Sequence, residues 1–227
     1  MISVIIPALN EQDNIGPCID NISRQAGKYE VIVADGGSSD ATVTVSEAKK
    51  ARVLRSPEKN IGYQNNLGAG SAKGDILLFL HADTRLPDKA FEKIEEFFNK
   101  NTDAAGGSFN MVVRGDRFFY KVISIGGNAF CKITGIHFGD RGVFVKKEIF
   151  DQINGYNIMP IMEDVDFSKR MKKKGKTKIL KGPVVSSSRK FGREPFWRTL
   201  YLILWSLLAY TAGWDLDRIK KKYYGQG

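Results

Sequence analysis

The sequence DILLFLHADT, residues 75–84, combines an apolar run with a polar ending. Five apolar residues precede His81, Asp83 and Thr84, and no polar residue interrupts them. A short strand that is apolar at every position is typical of a sheet whose two faces are both covered. We therefore predict a buried strand here. Its polar end is either an ordinary exit into a loop or a ligand site, with His81 and Asp83 as a candidate metal pair.

The same arrangement recurs along the first hundred residues. Apolar strands are predicted at residues 3–7, 30–34 and 51–55, and segments with helical spacing of apolar residues alternate with them. This alternation predicts an α/β fold with a mostly parallel sheet and helices on both faces. In the second half we predict strands at 104–113, 142–145 and 178–185, and helices at 118–134 and 163–174. The first of these two helices is expected to break at Gly126 and Gly127.

Polar clusters follow three of the predicted strands. They are PALNE at residues 7–11, DGGSSD at 35–40 and HADT at 81–84. Because parallel sheets bind ligands at the carboxyl ends of their strands, the shared position indicates one ligand site. Asp35 is placed to accept hydrogen bonds from a nucleobase or a ribose, whereas Asn10 is also a candidate cap for the next helix. No GxGxxG motif follows the first strand, which argues against a dinucleotide-binding fold.

Two charged segments lie further along the chain. Glu163 and Asp164 stand side by side at the predicted start of a helix, where the helix dipole favours ionised carboxylates. The segment SSSRKFGREPFWR, residues 186–198, supplies Arg189 and Arg193. Clustered cations either stabilise a departing diphosphate or form a basic lip that faces a membrane.

The overall charge restricts the partners. The net charge is +10 and the pI is about 9.5, which favours polyanionic partners such as phosphorylated ligands or an anionic membrane. Signatures of RNA-recognition domains and zinc fingers are absent from the sequence, so a nucleic-acid partner is not expected. Cys18 and Cys131 stand among apolar neighbours, and we expect buried thiols in a reducing, cytoplasmic setting. The start of the chain, MISVIIPALNE, predicts a strand and not a signal peptide.

The tail differs from the rest of the chain. Residues 199–214 contain no charge, and basic residues flank them. A membrane-spanning helix needs about 20 apolar residues, so a helix lying in the membrane interface is favoured. A helix packed on the domain or in a dimer is the alternative, and a true span is a third. We predict a catalytic domain at residues 1–193 and a helical, membrane-associating tail at 194–227.

Taken together, these motifs resemble the family-2 glycosyltransferases of the GT-A fold. The resemblance rests on their order: PALNE, DGGSSDAT, a HAD variant of the DxD motif, and a later Glu163-Asp164 pair. It covers about residues 3–193. The segments NNLGAGSAKGDILLFLHADTRLP, GDRGVFVKKEIF and EDVDFSKRMKKKGK are most similar to the subgroup described as radical-SAM/selenodomain-associated transferase 2.

The resemblance implies a transferase that uses a nucleotide-diphosphate sugar, most often a UDP-sugar. Asp83 would bind Mn²⁺ or Mg²⁺ and the diphosphate, with His81 replacing the first Asp of DxD. Asp164 would be the general base, with Glu163 beside it, in one inverting displacement. Asp140 and Arg141 would face the acceptor. The positions that would bind the nucleotide-sugar are Pro7, Asn10, Glu11, Asp35, Gln64, Asn66, Arg189 and Arg193.

Other functions are weighed against this one. The loss of the first DxD carboxylate at His81 is compatible with a catalytically weak nucleotide-sugar-binding or scaffold protein. A nucleotidyltransferase would need a Gly-rich loop with Arg or Lys after the first strand, and PALNEQDN lacks it. The basic, apolar tail favours a membrane-borne or lipid-linked acceptor and a peripheral position at the inner face of the cell membrane. The donor sugar, the acceptor and the oligomeric state are left open.

Overall fold

The computed structural model describes residues 1–113, 118–186 and 196–225, except the side chains of residues 118, 119, 186 and 196. The strands in these ranges form one seven-stranded sheet in the order β3-β2-β1-β4-β6-β5-β7. β6 is antiparallel to both of its neighbours, and the other pairs are parallel. The mostly parallel α/β sheet predicted from the sequence is confirmed. The strands are β1 (Ile2–Ala8), β2 (Tyr29–Asp35), β3 (Arg52–Arg55), β4 (Ile76–Phe79), β5 (Ala104–Val113), β6 (Val143–Lys146) and β7 (Lys176–Ser186).

Helices connect most of these strands and cover both faces of the sheet. A 3₁₀ turn at Gly139–Arg141 precedes β6. The helices of the described ranges are α1 (Gln12–Ser23), α2 (Thr42–Ala48), α3 (Ile61–Gly70), α4 (Ala90–Lys100), α5 (Phe118–Thr134), α6 (Lys147–Gln152), α7 (Glu163–Lys172), α8 (Phe196–Thr211) and α9 (Leu216–Tyr224).

The central strand β1 contributes to two hydrophobic cores. Ile2, Val4 and Ile6 pack in one cluster with residues of α1 and α4. Ile5, which points to the opposite face, packs in a second cluster with residues of α3, α6 and α7. Each of these side chains is fully buried, which stabilises the fold by about 1.5–3 kcal/mol apiece. Burial on both faces explains why the strand is apolar at nearly every position.

The two cysteines belong to the interior. Cys18 and Cys131 are buried and form no disulfide. Burial raises the pKa of the Cys18 thiol to about 12 and that of the Cys131 thiol to about 11. A thiol must be deprotonated to act as a nucleophile, so these residues are structural at neutral pH.

The predicted break in α5 is wrong. The helix continues through Gly126 and Gly127 from Phe118 to Thr134. A Cβ atom at Gly127 would lie 2.8 Å from Nη2 of Arg141, whereas one at Gly126 would meet no atom within 4 Å. Gly127 therefore leaves space for the Arg141 side chain, and it does so without interrupting the helix.

The tail packs on the domain by one face. Ala209 and Ile219 form a small buried cluster with Ile161, and the ammonium group of Lys169 lies 4.5 Å from the ring centre of Tyr210. The opposite face of α8 is exposed at Trp197, Tyr201, Leu204 and Leu208, a stripe at spacings of four, three and four residues. Among the helices that the structure describes, none is long and apolar enough to cross a membrane.

Candidate active site

The loops after β1 and β2 are joined at the carboxyl edge of the sheet. Ala8 and Asp35 are paired in register at the ends of these parallel strands. Oδ1 of Asn10 accepts a hydrogen bond of 2.9 Å from the backbone N–H of Ser39, and the N–H of Asn10 donates to Oγ of Ser38 at 2.9 Å. The side chain of Asn10 therefore joins the two loops, and the alternative that it caps α1 is wrong.

Asp35 organises its own loop. Its Oδ2 accepts hydrogen bonds of 3.0 Å from the N–H groups of Gly37 and Ser38, and its Oδ1 accepts one from the hydroxyl of Ser38. Only 3% of the residue is exposed. In the loop after β1, Glu11 accepts a hydrogen bond of 2.7 Å from the side-chain amide of Asn14. The expected contact between Asp35 and a nucleobase stays a prediction.

Gln64 and Asn66 bind backbone atoms of neighbouring segments. Nε2 of Gln64 donates to the carbonyl oxygens of Ala8 and Ala34, at 3.0 and 2.8 Å. Asn66 accepts from the N–H of Tyr156 and donates to its carbonyl oxygen, each at 2.8 Å. Both side chains thus hold the edge of the predicted nucleotide pocket in place.

Asp164 lies at the start of α7, as predicted. Its Oδ2 accepts a hydrogen bond of 2.9 Å from the N–H of Gly139, and its Oδ1 accepts one of 2.7 Å from the N–H of Val165. Met162, the residue before the first residue of α7, has a left-handed backbone conformation with φ of 69°. Such strain in a residue other than glycine is concentrated at functional sites.

The pKa of Asp164 is raised above its ordinary value. Burial is the main cause, and the neighbouring Asp140 carboxylate acts in the same direction. The N–H groups of Gly139 and Val165 and the His81 side chain act against it. A raised pKa brings a carboxylate closer to the range in which it can accept a proton and release it again.

A cleft of about 290 Å³ brings the predicted groups together. Its walls include six of them: His81, Asp83, Asp140, Arg141, Glu163 and Asp164. A small adjoining pocket is lined by Pro7 as well as by His81 and Asp164. Asn10, Glu11, Asp35, Gln64 and Asn66 are not among the residues that line the cleft. Arg189 and Arg193 lie outside the described residues.

Arg141 is the largest fully buried side chain in the described part of the protein. Its Nη1 donates a hydrogen bond of 2.6 Å to Oδ1 of Asn128, which also accepts one from the N–H of Met111. Asn128 therefore links α5, β5 and the 3₁₀ turn. Arg141 lines the cleft on the side predicted to face the acceptor.

Oxygen ligands for a cation are few. No group of three or more His, Cys, Asp or Glu residues that could hold a metal is present within residues 1–113, 118–186 and 196–225. Asp83 nonetheless places one carboxylate in the cleft. A cation that bridges phosphates takes one or two protein carboxylates and completes its shell with water and phosphate oxygens, so this donor set fits Mn²⁺ or Mg²⁺.

Sequence reasoning missed the part of the cleft that the tail supplies. Ile203 and Leu207 of α8 and Tyr223 and Tyr224 of α9 line the same cleft as Asp164. The spacing of Ile203, Leu207 and Tyr210 marks an inner face of α8. Without the fold, this face could not be distinguished from the exposed stripe, because α8 is apolar on both sides.

Comparisons with known proteins agree with this fold. The chain is 29% identical over 178 residues to dolichol-phosphate mannosyltransferase of Pyrococcus furiosus, an alignment that covers 70% of the chain and 49% of that protein. It is 26% identical over 185 residues to a PGL/p-HBAD biosynthesis glycosyltransferase of Mycobacterium bovis, with 75% and 69% covered. The chain thus spans about half of one relative and about two thirds of the other.

Two solved structures are also similar. The mannosyltransferase PcManGT from Pyrobaculum calidifontis, in complex with GDP-Man and Mn²⁺, matches with a TM-score of 0.68 at 19% identity, over 88% of this chain and 60% of that one. TarS from S. aureus, in complex with UDP-GlcNAc, matches with a TM-score of 0.66 at 16% identity, over 98% and 71%. At these identities the likeness concerns the fold alone.

The fold and the motifs at its carboxyl edge define a glycosyltransferase of the GT-A class. The model of glycosyl transferase family 2 matches residues 3–160, more than half of the chain, and the protein belongs to that family. The expected subgroup stays a prediction.

Proposed function

We propose that the protein transfers a sugar from a nucleotide-diphosphate donor to an acceptor hydroxyl with inversion at the anomeric carbon. The observation that carries this proposal is the cleft that contains both Asp83 and Asp164 beside the ends of β1 and β4. The related proteins that are named for mannosyl transfer, and the similar structures that contain GDP-Man or UDP-GlcNAc, support a nucleotide-sugar donor. A UDP-sugar is the first donor to test.

Asp164 is the proposed general base. Its two hydrogen bonds from backbone N–H groups fix the carboxylate toward the cleft, and Glu163 lies beside it in the same wall. The carboxylate accepts the proton of the acceptor hydroxyl while that oxygen attacks the anomeric carbon from the face opposite the diphosphate. Because one displacement completes the transfer, a single base is sufficient.

Asp83 is the proposed ligand of a divalent cation, Mn²⁺ or Mg²⁺. A bound cation would supply neutralisation of the charge that develops on the departing diphosphate. His81, at the position of the first DxD carboxylate, lines both the cleft and the small pocket with Asp164. Its ring therefore lies beside the proposed base, and Asp83 alone is the proposed metal ligand.

The donor is proposed to lie over the joined loops after β1 and β2. Pro7, Asn10, Glu11 and Asp35 are the proposed contacts of the nucleotide, and Gln64 and Asn66, which bind neighbouring backbone atoms, are proposed to hold this part of the site in place. Asp140 and Arg141 occupy the acceptor side. Arg189 and Arg193, which lie outside the described residues, stay predicted contacts of the nucleotide-sugar.

The tail is proposed to hold the enzyme at a membrane. The proposed division between residues 193 and 194 separates a catalytic domain from a helical tail, and the exposed stripe of α8 supplies an apolar surface. Arg218, Lys220 and Lys221 on α9 add positive charge that is complementary to anionic lipid. We propose a cytoplasmic protein bound peripherally at the inner face of the cell membrane, where an acceptor carried by the membrane is within reach.

Calorimetry with a panel of UDP-, GDP- and dTDP-sugars, each with and without Mn²⁺, tests the donor part of this proposal. We expect one donor class to bind and Mn²⁺ to strengthen the binding. If none of the donors binds under either condition, the protein is not a nucleotide-sugar transferase. Binding of a donor without any transfer or hydrolysis would favour the alternative of a catalytically weak binding protein.

A further inference from the structure

We propose that α8 and α9 form one wall of the acceptor site, and that the acceptor is an amphiphile whose apolar chain lies against α8. This inference rests on the proposed function, because it takes the cleft beside Asp164 as the place of transfer. It adds the chemical class of the acceptor and assigns to the tail a role in binding substrate.

The lining of the cleft divides by element. The carboxylates come from the loop after β4, from the 3₁₀ turn and from α7. The lining from α5 and α8 is apolar and consists of Ile123, Gly127, Ile203 and Leu207. A ligand with a polar head and an apolar chain matches such a cleft, whereas a wholly polar sugar would leave hydroxyl groups against apolar side chains without hydrogen-bond partners.

The two faces of α8 have different neighbours. Ile203 packs against the main hydrophobic core and also lines the cleft. Leu207 lies one turn further along the same face and is partly buried. Leu204 and Leu208 point outward and are 49% and 69% exposed. The inner face is thus available to a ligand in the cleft, while the outer face is available to a surface.

The cleft is continuous with the proposed catalytic groups. Leu207 and Tyr223 line the same cavity as Asp164 and Asp83. A ligand whose apolar chain is held against α8 therefore has its polar head, which carries the acceptor hydroxyl, on the side of the proposed base. The cleft, at about 290 Å³, is at the lower end of the volumes of small-molecule sites and accommodates one chain segment.

Binding of two simple glucosides tests this assignment. We would measure binding of octyl β-D-glucoside, below its micelle concentration, and of methyl β-D-glucoside to the full chain. The octyl compound is expected to bind about tenfold more tightly or better, because its extra methylene groups leave water. Equal binding of the two glucosides would overturn the inference.

Two leucines on one helix provide a matched pair. Leu207→Asn should weaken binding of octyl glucoside by about fivefold or more, whereas Leu204→Asn should change it less than about twofold. Equal effects of the two variants would show that the alkyl chain binds elsewhere. Leu207→Ala, a milder change, replaces Leu207→Asn if thermal unfolding shows that the latter is not folded.

The test of the amphiphile inference can fail independently of the test of the proposed function. Donor binding is measured without acceptor and does not depend on α8. If a donor binds but chain length and Leu207 have no effect, the amphiphile inference fails and the transferase proposal stands. If no donor binds, the transferase proposal fails, and glucoside binding still reports whether the α8 wall accepts an alkyl chain.

Discussion

The backbone N–H of Gly139 donates a hydrogen bond of 2.9 Å to Oδ2 of Asp164. This bond ties the 3₁₀ turn before β6 to the first turn of α7. A Cβ atom at Gly139 would lie 3.7 Å from the same carboxylate oxygen and 3.0 Å from Nε2 of His81. Asp164, the proposed base, and His81, at the variant DxD position, thus both lie close to Gly139. A methyl group at Gly139 would crowd the imidazole of His81.

Replacement of Gly139 by Ala should lower turnover. The backbone of Gly139 is not left-handed, so Ala is compatible with its conformation. The new methyl group would displace His81, which interacts electrostatically with the proposed base Asp164, by a few tenths of an ångström. Misplacement of groups around a reacting centre can cost about tenfold or more. We expect a decrease in kcat with donor affinity nearly unchanged, as measured by release of nucleoside diphosphate.

Gly126→Ala is the matched control for this substitution. A Cβ atom at Gly126 meets nothing within 4 Å, and the residue lies inside α5. Alanine in a helix interior is favoured over glycine by about 0.5–1 kcal/mol, so this variant should be slightly more stable and equally active. If both variants have equal activity, the tight contact at Gly139 does not contribute to turnover.

The raised pKa of Asp164 predicts a pH-dependent gain in stability for Asp164→Asn. Because burial raises the pKa in the folded protein, the folded state holds the proton more tightly than the unfolded chain does. The protonated Asp164 contributes its full stabilisation at pH values below its pKa in the unfolded chain, which is about 3.9. This stabilisation is lost as the pH rises through the pKa of the group in the folded protein. Asparagine does not titrate.

Thermal unfolding of both proteins between about pH 3.5 and pH 8 measures this effect. The difference in Tm, variant minus wild type, should increase with pH across the window. If Asp164→Asn only lost hydrogen bonds from Gly139 or Val165, the difference in Tm would change by the same amount at every pH. It would then not increase with pH. A difference that stays constant would contradict a raised pKa.

Asp83→Asn should remove the effect of metal on donor binding. The neutral amide is a weaker ligand for Mn²⁺, so the strengthening of donor affinity by Mn²⁺ should fall by about tenfold or more. Calorimetry with and without Mn²⁺ measures this change. Asp88→Asn, an exposed carboxylate just before α4, is the control and should leave the Mn²⁺ effect intact. Persistence of the full Mn²⁺ effect in Asp83→Asn would exclude Asp83 as the ligand.

The exposed stripe of α8 should govern membrane binding. Serine at Trp197, Leu204 and Leu208 removes most of the apolar area, and each large side chain contributes about 1.5–3 kcal/mol when it leaves water. Flotation with vesicles that contain phosphatidylglycerol should show at least about tenfold weaker binding for this triple variant. Leu207→Asn should float like the wild type because Leu207 faces the cleft. Unchanged binding of the triple variant would refute a membrane role for this face.

The sequence was sufficient to predict the architecture. Strands such as β1 and β4 are apolar at nearly every position because both faces of the sheet are covered, and this pattern is visible without coordinates. The position of Asp164 at the start of a helix was also predictable, since carboxylates favour that end of the helix dipole. Both features depend on local sequence and on the rules of parallel sheets.

Contacts between distant segments were not predictable. The bonds of Gln64 to Ala8 and Ala34 and those of Asn66 to Tyr156 depend on how α3 packs against the strand ends. Likewise, the sequence alone predicts that Gly127 breaks the helix. The structure shows instead that the Arg141 side chain occupies the space beside it. The role of α8 in the cleft required knowledge of which of its two apolar faces is covered.

Release of nucleoside diphosphate by Asp164→Asn tests the central claim most directly. The tightest-binding donor would be incubated with Mn²⁺ and wild type, Asp164→Asn or Asp166→Asn, a control on the same helix whose carboxylate pairs with Arg170 at 2.7 Å. Loss of a general base should slow release by about 10²–10⁴-fold while donor affinity changes only a few-fold, and the control should stay near wild type. Release at the wild-type rate by a donor-bound Asp164→Asn protein would contradict the assignment of Asp164 as the base.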